Sequence, residues 1–251
     1  SMAGHSKWAN IRHKKGAADA KRGKVFSRLA REVTIAARAG GGDQTMNPRL
    51  RTAVNNAKAQ NMPNDTIERA IRKGTGELGG AAIEELMYEG YAPGGVAVLV
   101  EAATDNKNRT AAEIRMLFSK NNGNLGTSGS VSYIFQRKGH ISIDKARIGE
   151  ESMLEAAIEA GAEEMLTDDG RYLVVTAYDR LYDVAEALRR QGIECLSQNL
   201  VFVPDTSVPV SDEKTATQVL KLCDALEDSE YVQNVYANFE IDDALLDRVA
   251  S

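Results

Sequence analysis

The chain has 251 residues, 43% hydrophobic and 27% charged, a composition typical of a globular protein with room for two or three small domains. No apolar run approaches the ~20 residues of a membrane span, so a membrane protein is not expected. The two cysteines, Cys195 and Cys223, form no CxxC pair, which predicts a reducing, cytoplasmic location and disfavours a structural zinc site.

Charge is distributed unevenly along the chain. Residues 1–76 carry 16 Lys and Arg against five Asp and Glu, a net charge of +11. The remaining residues carry 15 against 31, a net charge of −16, so the whole chain has −5. A phosphate backbone is expected to attract the basic end and to be repelled by the acidic lobe, which would face outward and could contact a protein partner. The alternative is that the acidic surface serves only solubility.

The first residues, from Gly4 to Lys15, have no helical or strand period and predict an extended arm. The arm is basic and contains Trp8, the only tryptophan of the chain. A positive segment with one large aromatic side chain suits nucleic acid, which offers phosphates and flat bases. Alternatively, Trp8 packs onto the following helices as a hydrophobic anchor.

A first helix is predicted over about Ala17 to Ala39. Its apolar and basic residues form two stripes offset by about one residue, or ~100° around the axis, so one face can pack while the next presents cations. The apolar stripe is Phe26, Leu29, Val33 and Ala36, and the basic stripe is Lys21, Lys24, Arg28, Arg31 and Arg38.

Two shorter helices complete a predicted bundle. The second begins at Asn47 and Pro48, because Asn is a good cap and Pro fits the first helical position. The third starts near Asp65, with Glu68 three residues on as a capping box. Arm and bundle together are expected to form one domain.

From residue 80 onward, strands and helices alternate. Glu84–Tyr91 and Val96–Ala103 predict a hairpin, and Asn108–Lys120 predicts a helix. A loop rich in glycine and asparagine follows over Asn121–Ser130.

Residues 137–204 predict strand, helix, strand, strand, helix, strand, which is the order of the ferredoxin-like unit. The helix Asp212–Leu226 and the strand Tyr231–Phe239 cannot complete that finished unit, so they are expected to complete the earlier hairpin.

The predicted fold class is therefore α+β: an N-terminal three-helix bundle followed by two α/β domains, one ferredoxin-like and inserted into the other. A short strand is expected over Val131–Phe135, before the inserted unit. Within the unit the expected helices are Glu150–Ala160 and Leu181–Gln191, and the expected strands are His140–Ile143, Glu163–Leu166, Tyr172–Thr176 and Glu194–Phe202. The predicted boundaries are 1–79 for arm and bundle, 80–136 and 205–240 for the discontinuous middle domain, 137–204 for the inserted domain, and 241–251 for a C-terminal tail.

No constellation of acids, bases and nucleophiles indicates an enzyme. The chain lacks GxSxG, HExxH and P-loop lysine motifs, and Gly74–Gly79 matches GxGxxG but follows a helix instead of a strand. His140 is isolated, and His5 and His13 have no cysteine partners, so neither a metal nor another cofactor is expected. The glycines of residues 121–130 could present N–H groups to a phosphate, with an ordinary flexible connection as the alternative.

Long stretches of the chain resemble the YebC family, which includes bacterial probable transcriptional regulatory proteins and the mitochondrial translational activator of cytochrome c oxidase. They are AGHSKWANIRHKKGAADAKRGKVFSRLAREVTIAARAGGGD at 3–43, NPRLRTAVNNAKAQNMPNDTIERAIRKGTG at 47–76, YEGYAPGGVAVLVEAATDNKNRTAAEIR at 88–115 and NNGNLGTSGSVSYIF at 121–135. The resemblance covers essentially the whole chain. It implies a cytoplasmic, non-enzymatic protein with a helical N-terminal domain and two α/β domains. Some members are described as DNA-binding transcriptional regulators, and others associate with the ribosome and help it through difficult sequences such as proline runs.

Two nucleic-acid targets remain open. A basic arm with one aromatic residue can thread into structured RNA, including that of the ribosome. Duplex DNA needs a recognition helix in the major groove, for which Arg49, Arg51 and Asn55 are the candidates. Carried to this chain, the resemblance implies nucleic-acid-facing positions at Lys7, Trp8, Arg12, His13, Lys14, Lys15, Lys21, Arg22 and Lys24, and the basic stripe of the first helix adds Arg28 and Arg31.

Overall fold

The computed structural model describes residues 18–249, with side chains described from residue 23 onward. It contains a helical bundle, a middle domain built on a four-stranded sheet, and a second four-stranded sheet inserted into the middle domain. The predicted α+β fold class is confirmed, including the inserted ferredoxin-like unit. Within the described residues, no helix has the length and apolar character needed to cross a bilayer.

The secondary structure follows the predicted alternation of helices and strands. The helices are α1 (Ala18–Gly40), α2 (Pro48–Ala59), α3 (Asn64–Gly74), α4 (Lys107–Lys120), α5 (Glu150–Ala160), α6 (Leu181–Arg190), α7 (Glu213–Asp228) and α8 (Asp243–Val249). The strands are β1 (Glu84–Ala92), β2 (Val96–Thr104), β3 (Asn124–Leu125), β4 (Phe135–Asp144), β5 (Glu164–Thr167), β6 (Arg171–Ala177), β7 (Ser197–Pro204), β8 (Val208–Pro209), β9 (Val232–Ala237) and β10 (Phe239–Glu240). Short 3₁₀ turns lie at Ser132–Ile134 and Tyr178–Arg180.

The bundle is held together by one apolar stripe from each of its three helices, as a period of 3.6 residues allows. Val33, Leu50 and Ile67 belong to this core. Asn47 caps α2 as predicted: its side chain accepts a hydrogen bond from Leu50 N at 3.1 Å. The same side chain donates to Ala36 O at 2.8 Å, which ties the start of α2 to α1.

The start of α3 differs from the prediction. The helix begins at Asn64, and the capping position is held by Pro63, which makes no side-chain hydrogen bond. Asp65 therefore lies inside the first turn, where its carboxylate accepts from Thr66 N at 3.1 Å. The predicted capping box between Asp65 and Glu68 was wrong, because the first of the two residues is displaced from the cap.

The middle sheet has the strand order β3-β1-β2-β9. β1 and β2 pair as the predicted hairpin, from Glu84↔Thr104 to Ala92↔Val96. α4 and α7 cover one face, where Phe118 and Leu222 share a buried core with Val98. β9 joins this sheet only after the chain has passed through the whole inserted domain.

The inserted domain has the order β5-β6-β4-β7, with all neighbouring strands antiparallel. α5 and α6 pack on one face of this sheet, and Met153 and Leu188 bury against Ile141 and Val174. This arrangement is the ferredoxin-like fold predicted from the order of elements.

The two α/β domains share a second apolar cluster. Alternate residues of a strand face opposite sides of its sheet, so Leu99 points away from the core that holds Val98. Leu99 and Tyr236 are buried there with Val131 and Phe135, at the start of the inserted segment. The inserted domain is therefore packed on the face of the middle sheet that the helices leave open.

Two predictions about individual segments were wrong. The strand expected over Val131–Phe135 is a 3₁₀ turn, because the backbone N–H groups of Val131 and Ser132 bond to the Glu89 carboxylate instead of to a neighbouring strand. The segment 241–251, predicted as a separate tail, contains α8. Leu245 and Leu246 of this helix are buried in the middle-domain core. The prediction missed the helix because the residues on either side of the two leucines are mostly polar.

Candidate nucleic-acid interface

Most of the predicted contact residues belong to the arm and the first turn of α1. Lys21 and Arg22 lie on α1, but their side chains are outside the described part of the chain. The arm residues lie outside the described residues altogether, and they remain predictions: Lys7, Trp8, Arg12, His13, Lys14 and Lys15.

The rest of the basic stripe on α1 contacts the acidic lobe. Lys24 Nζ donates to Asp228 O at 3.2 Å and lies 3.5 Å from its carboxylate. Arg31 donates to the Gln233 side chain at 3.0 Å, and that side chain in turn donates to Arg28 O at 3.1 Å. Burial lowers the pKa of Arg31, against the opposing effect of nearby acids. The sequence did not predict this contact, because its partners are about 200 residues away along the chain.

A second polar contact joins the bundle to the middle domain through Arg49. Its guanidinium lies 3.0 Å from a Glu32 oxygen and 2.8 Å from a Glu85 oxygen. Burial raises the pKa of Glu32, although Arg49 opposes this. Burial would lower the pKa of Arg49, but its bonds to Glu85 and Glu32 outweigh that effect and raise it.

The three candidate base-reading side chains of α2 are therefore not equivalent. Arg49 is committed to the two carboxylates of the junction. Arg51 is exposed and donates to Gln44 O at 2.9 Å, and Asn55 is exposed. If α2 were a DNA-recognition helix, Arg49 could not contact bases while it is bound to Glu32 and Glu85 at the interface between domains.

The loop after α4 holds an internal anion. The buried Glu89 carboxylate of β1 accepts from Gly129 N at 2.6 Å, Val131 N at 3.0 Å and Ser132 N at 2.6 Å. Burial alone would raise the pKa of Glu89, but these backbone hydrogen bonds hold it below its usual range. The N–H groups of the loop glycines, which could have met a phosphate, bond within the protein: Gly129 N donates to the Glu89 carboxylate, and Gly123 N and Gly126 N donate to Phe118 O and Glu89 O, both at 2.8 Å.

The acidic lobe also presents cations that the whole-chain charge balance conceals. Arg109, Arg115 and Lys120 are exposed on α4. The sequence contains this basic segment, because residues 107–138 hold six Lys and Arg and a single acid, Glu113. The charge count over residues 77–251 did not reveal the segment, because the surrounding sequence is strongly acidic.

The fold and these contacts define a three-domain α+β protein in which a basic helical bundle is mounted on an acidic lobe. Within residues 23–249, no group of His, Cys, Asp and Glu side chains could hold a metal ion. His140 lies half-buried on β4, in the inserted sheet.

The chain belongs to the TACO1/YebC family. Residues 6–77 match the TACO1/YebC N-terminal domain, and residues 83–239 match the second and third domains of the same family. The family resemblance noted in the sequence is thereby confirmed.

Full-length relatives are similar throughout. A protein from Persephonella marina is 54% identical over 250 residues, covering 99% of this chain and 100% of its own length. One from Treponema pallidum is 56% identical over 245 residues, covering 98% and 100%. Both carry the name "Probable transcriptional regulatory protein". The crystal structure of a conserved hypothetical protein from Aquifex aeolicus matches this fold with a TM-score of 0.85. The two sequences are 50% identical, and the match covers 90% of this chain and 93% of the other.

Proposed function

We propose that this protein is a non-enzymatic, nucleic-acid-binding regulator of gene expression that holds phosphates with its basic arm and the first turns of α1. The observation that carries the proposal is the way α1 is mounted. Arg31 and Lys24 fasten α1 to the acidic lobe, and the sequence up to residue 76, to which this helix belongs, is strongly basic whereas the rest of the chain is acidic. Such a dipole orients the molecule on a polyanion.

Duplex DNA is the first candidate target, because the relatives are named probable transcriptional regulatory proteins. Structured RNA, including that of the ribosome, is the second. It is favoured by the engagement of Arg49 at the domain junction, which weakens the case for a DNA-reading α2. In either case the arm supplies the phosphate contacts, and Trp8 stacks on or wedges between bases.

The test is a competition titration of the full chain, in about 0.15 M salt, between random duplex DNA and intact ribosomes. A variant lacking residues 2–17 keeps the described part of the chain and is expected to bind at least about tenfold more weakly. Arm-dependent binding that only ribosomes retain supports the RNA target. Arm-dependent binding in which one duplex sequence prevails over random DNA supports the transcriptional target. Equal binding by the full chain and the arm deletion would overturn the proposal.

Replacing Lys14 and Lys15 with Gln provides a finer test. We expect the slope of log K against log salt to become shallower by about two, because each lysine is predicted to neutralise one phosphate. The matched control is Arg189→Gln with Arg190→Gln on α6, where both arginines pair with Glu186. An arm variant that retains the parent slope would contradict the assignment.

A further inference from the structure

A basic island interrupts the acidic lobe. Residues 107–138 contain six Lys and Arg and one acid, whereas the rest of the chain after residue 76 contains nine Lys and Arg and 30 Asp and Glu. The island comprises α4, the loop that follows it and the start of β4. Two of the six cations are paired with acids from elsewhere in the lobe, Lys107 with Glu84 and Lys138 with Glu163. The other cations of α4 leave a positive surface that will attract a polyanion to this part of the lobe.

The cations of α4 are directed to solvent. Thr110, Ile114 and Phe118 form the buried side of the helix. Arg109 and Lys120 are eleven residues apart in sequence, so they lie within about 20° of each other around the axis and about 16 Å apart along it, on the exposed side.

Three of the four cations of α4 have no acidic partner within the described part of the chain. Within residues 23–249, Arg109, Arg115 and Lys120 make no ion pair, although Lys107 does pair with Glu84 at 2.6 Å. Glu113, the one acid of the helix, accepts a hydrogen bond from the Ser229 hydroxyl at the end of α7. The exposed charged side chains of α4 are therefore all cationic, and Met116 is exposed among them.

The loop after α4 is held by hydrogen bonds at its end, where an aromatic residue follows. The N–H groups of Gly129, Val131 and Ser132 donate to the Glu89 carboxylate, and the Tyr91 hydroxyl donates to Ser130 O at 3.3 Å. Immediately after these anchors stands Tyr133, whose side chain is 75% exposed. An aromatic residue held on a fixed loop loses little conformational entropy when it binds a partner.

We propose that α4 and the braced loop form a second nucleic-acid contact, in which Arg109, Arg115 and Lys120 hold phosphates and Tyr133 stacks on an unpaired base. Unpaired cations combined with an exposed ring fit single-stranded nucleic acid better than an acidic protein, which offers no bases. The inference rests on the proposed function and deepens it. The acidic lobe then contacts the same nucleic acid as the basic bundle, through α4 and the loop that follows it.

The first test is the triple variant Arg109→Gln, Arg115→Gln, Lys120→Gln in the full chain, titrated with a fluorescent RNA that has a hairpin and single-stranded flanks, and with a DNA duplex. We expect RNA binding at least about tenfold weaker, with a salt slope shallower by about two, since single strands release about 0.7 counterion per contact. The control triple, Arg180→Gln, Arg189→Gln and Arg190→Gln on or beside α6, removes the same charge from a surface where each arginine has an acidic partner. All three sites of the α4 variant are exposed, so its urea midpoint should match that of the parent.

The second test separates stacking from charge. Tyr133→Ala is expected to weaken RNA binding by about tenfold without changing the salt slope, because the ring carries no charge, and Tyr133→Phe should restore binding. RNA binding by Tyr133→Ala equal to that of the parent would remove the stacking role.

The outcomes distinguish this inference from the proposed function. If the full chain binds neither RNA nor DNA, the proposed function fails and the inference with it. If the full chain binds through its arm but the α4 triple and the α6 triple bind equally, the inference alone fails. If the α4 triple loses RNA and duplex DNA to the same extent, the phosphate contact stands and the preference for unpaired bases is overturned.

Discussion

Glu89→Gln is expected to lower the free energy of unfolding by about 3 kcal/mol near neutral pH. The carboxylate accepts three backbone N–H bonds in a buried site, and hydrogen bonds to charged groups contribute about 1.5–3 kcal/mol each. An amide has one acceptor oxygen, and its NH₂ group would face donors. At least one N–H group among Gly129, Val131 and Ser132 would therefore lose its hydrogen bond to this side chain.

Urea unfolding measures the loss, and hydrogen exchange at the same three amides locates it. Glu155→Gln, exposed in the middle of α5, removes the same charge and should leave both readouts unchanged. A Glu89→Gln protein with parental stability and parental amide protection would show that the carboxylate does not brace the loop.

The pH dependence of this contribution has a definite sign. The folded-state pKa of Glu89 is depressed, so the folded protein binds its proton less readily than the unfolded chain does. Its stabilisation is present above the pKa of an unfolded glutamate and is lost as the pH falls through the folded-state value. The difference in stability between the parent and Glu89→Gln should therefore shrink in acid.

Arg49→Met is expected to cost about 2–3 kcal/mol near neutral pH, because it leaves Glu32 and Glu85 next to each other without a cation. Breaking a fully buried pair costs about 3–5 kcal/mol. We expect less, since the side chains of Arg49 and Glu32 are 33% and 35% exposed and water screens them in part. The loss should appear as looser attachment of the bundle to the lobe.

The pKa of Glu32 is shifted in the opposite direction to that of Glu89. The pKa of Glu32 is already raised in the folded parent, so its ionisation opposes folding, and the contribution of the protonated form is lost as the pH rises through the folded-state value. Removing Arg49 raises that pKa further. The destabilisation by Arg49→Met should thus be largest at neutral pH and should diminish in acid, where Glu32 is protonated.

Urea unfolding of the parent and Arg49→Met at neutral and acidic pH measures this effect. Arg51→Met is the matched control, since Arg51 is exposed on the same helix and, among the described residues, its side chain donates to the Gln44 carbonyl and forms no ion pair. A cost for Arg49→Met that does not change with pH would show that Glu32 does not depend on its arginine.

Elements with strong local signals were predictable from the sequence. The helix over Glu150–Ala160 is observed with the predicted ends, and the hairpin around residues 92–95 forms as expected, because apolar periodicity and glycine turns act over a few residues. The turn at Ser132–Ile134 was not predictable. It depends on Glu89, more than 40 residues earlier, whose carboxylate competes with strand pairing for the N–H groups.

The sequence by itself determined the charge asymmetry, the family and the order of elements that makes the inserted domain ferredoxin-like. Only the tertiary structure decided which cations remain available to a ligand. Lys24 meets Asp228, 204 residues away, whereas Arg109 meets no acid within the described part of the chain. The physical reason is that a charge is neutralised by whatever the fold brings within a few ångströms of it, and sequence distance carries no information about that.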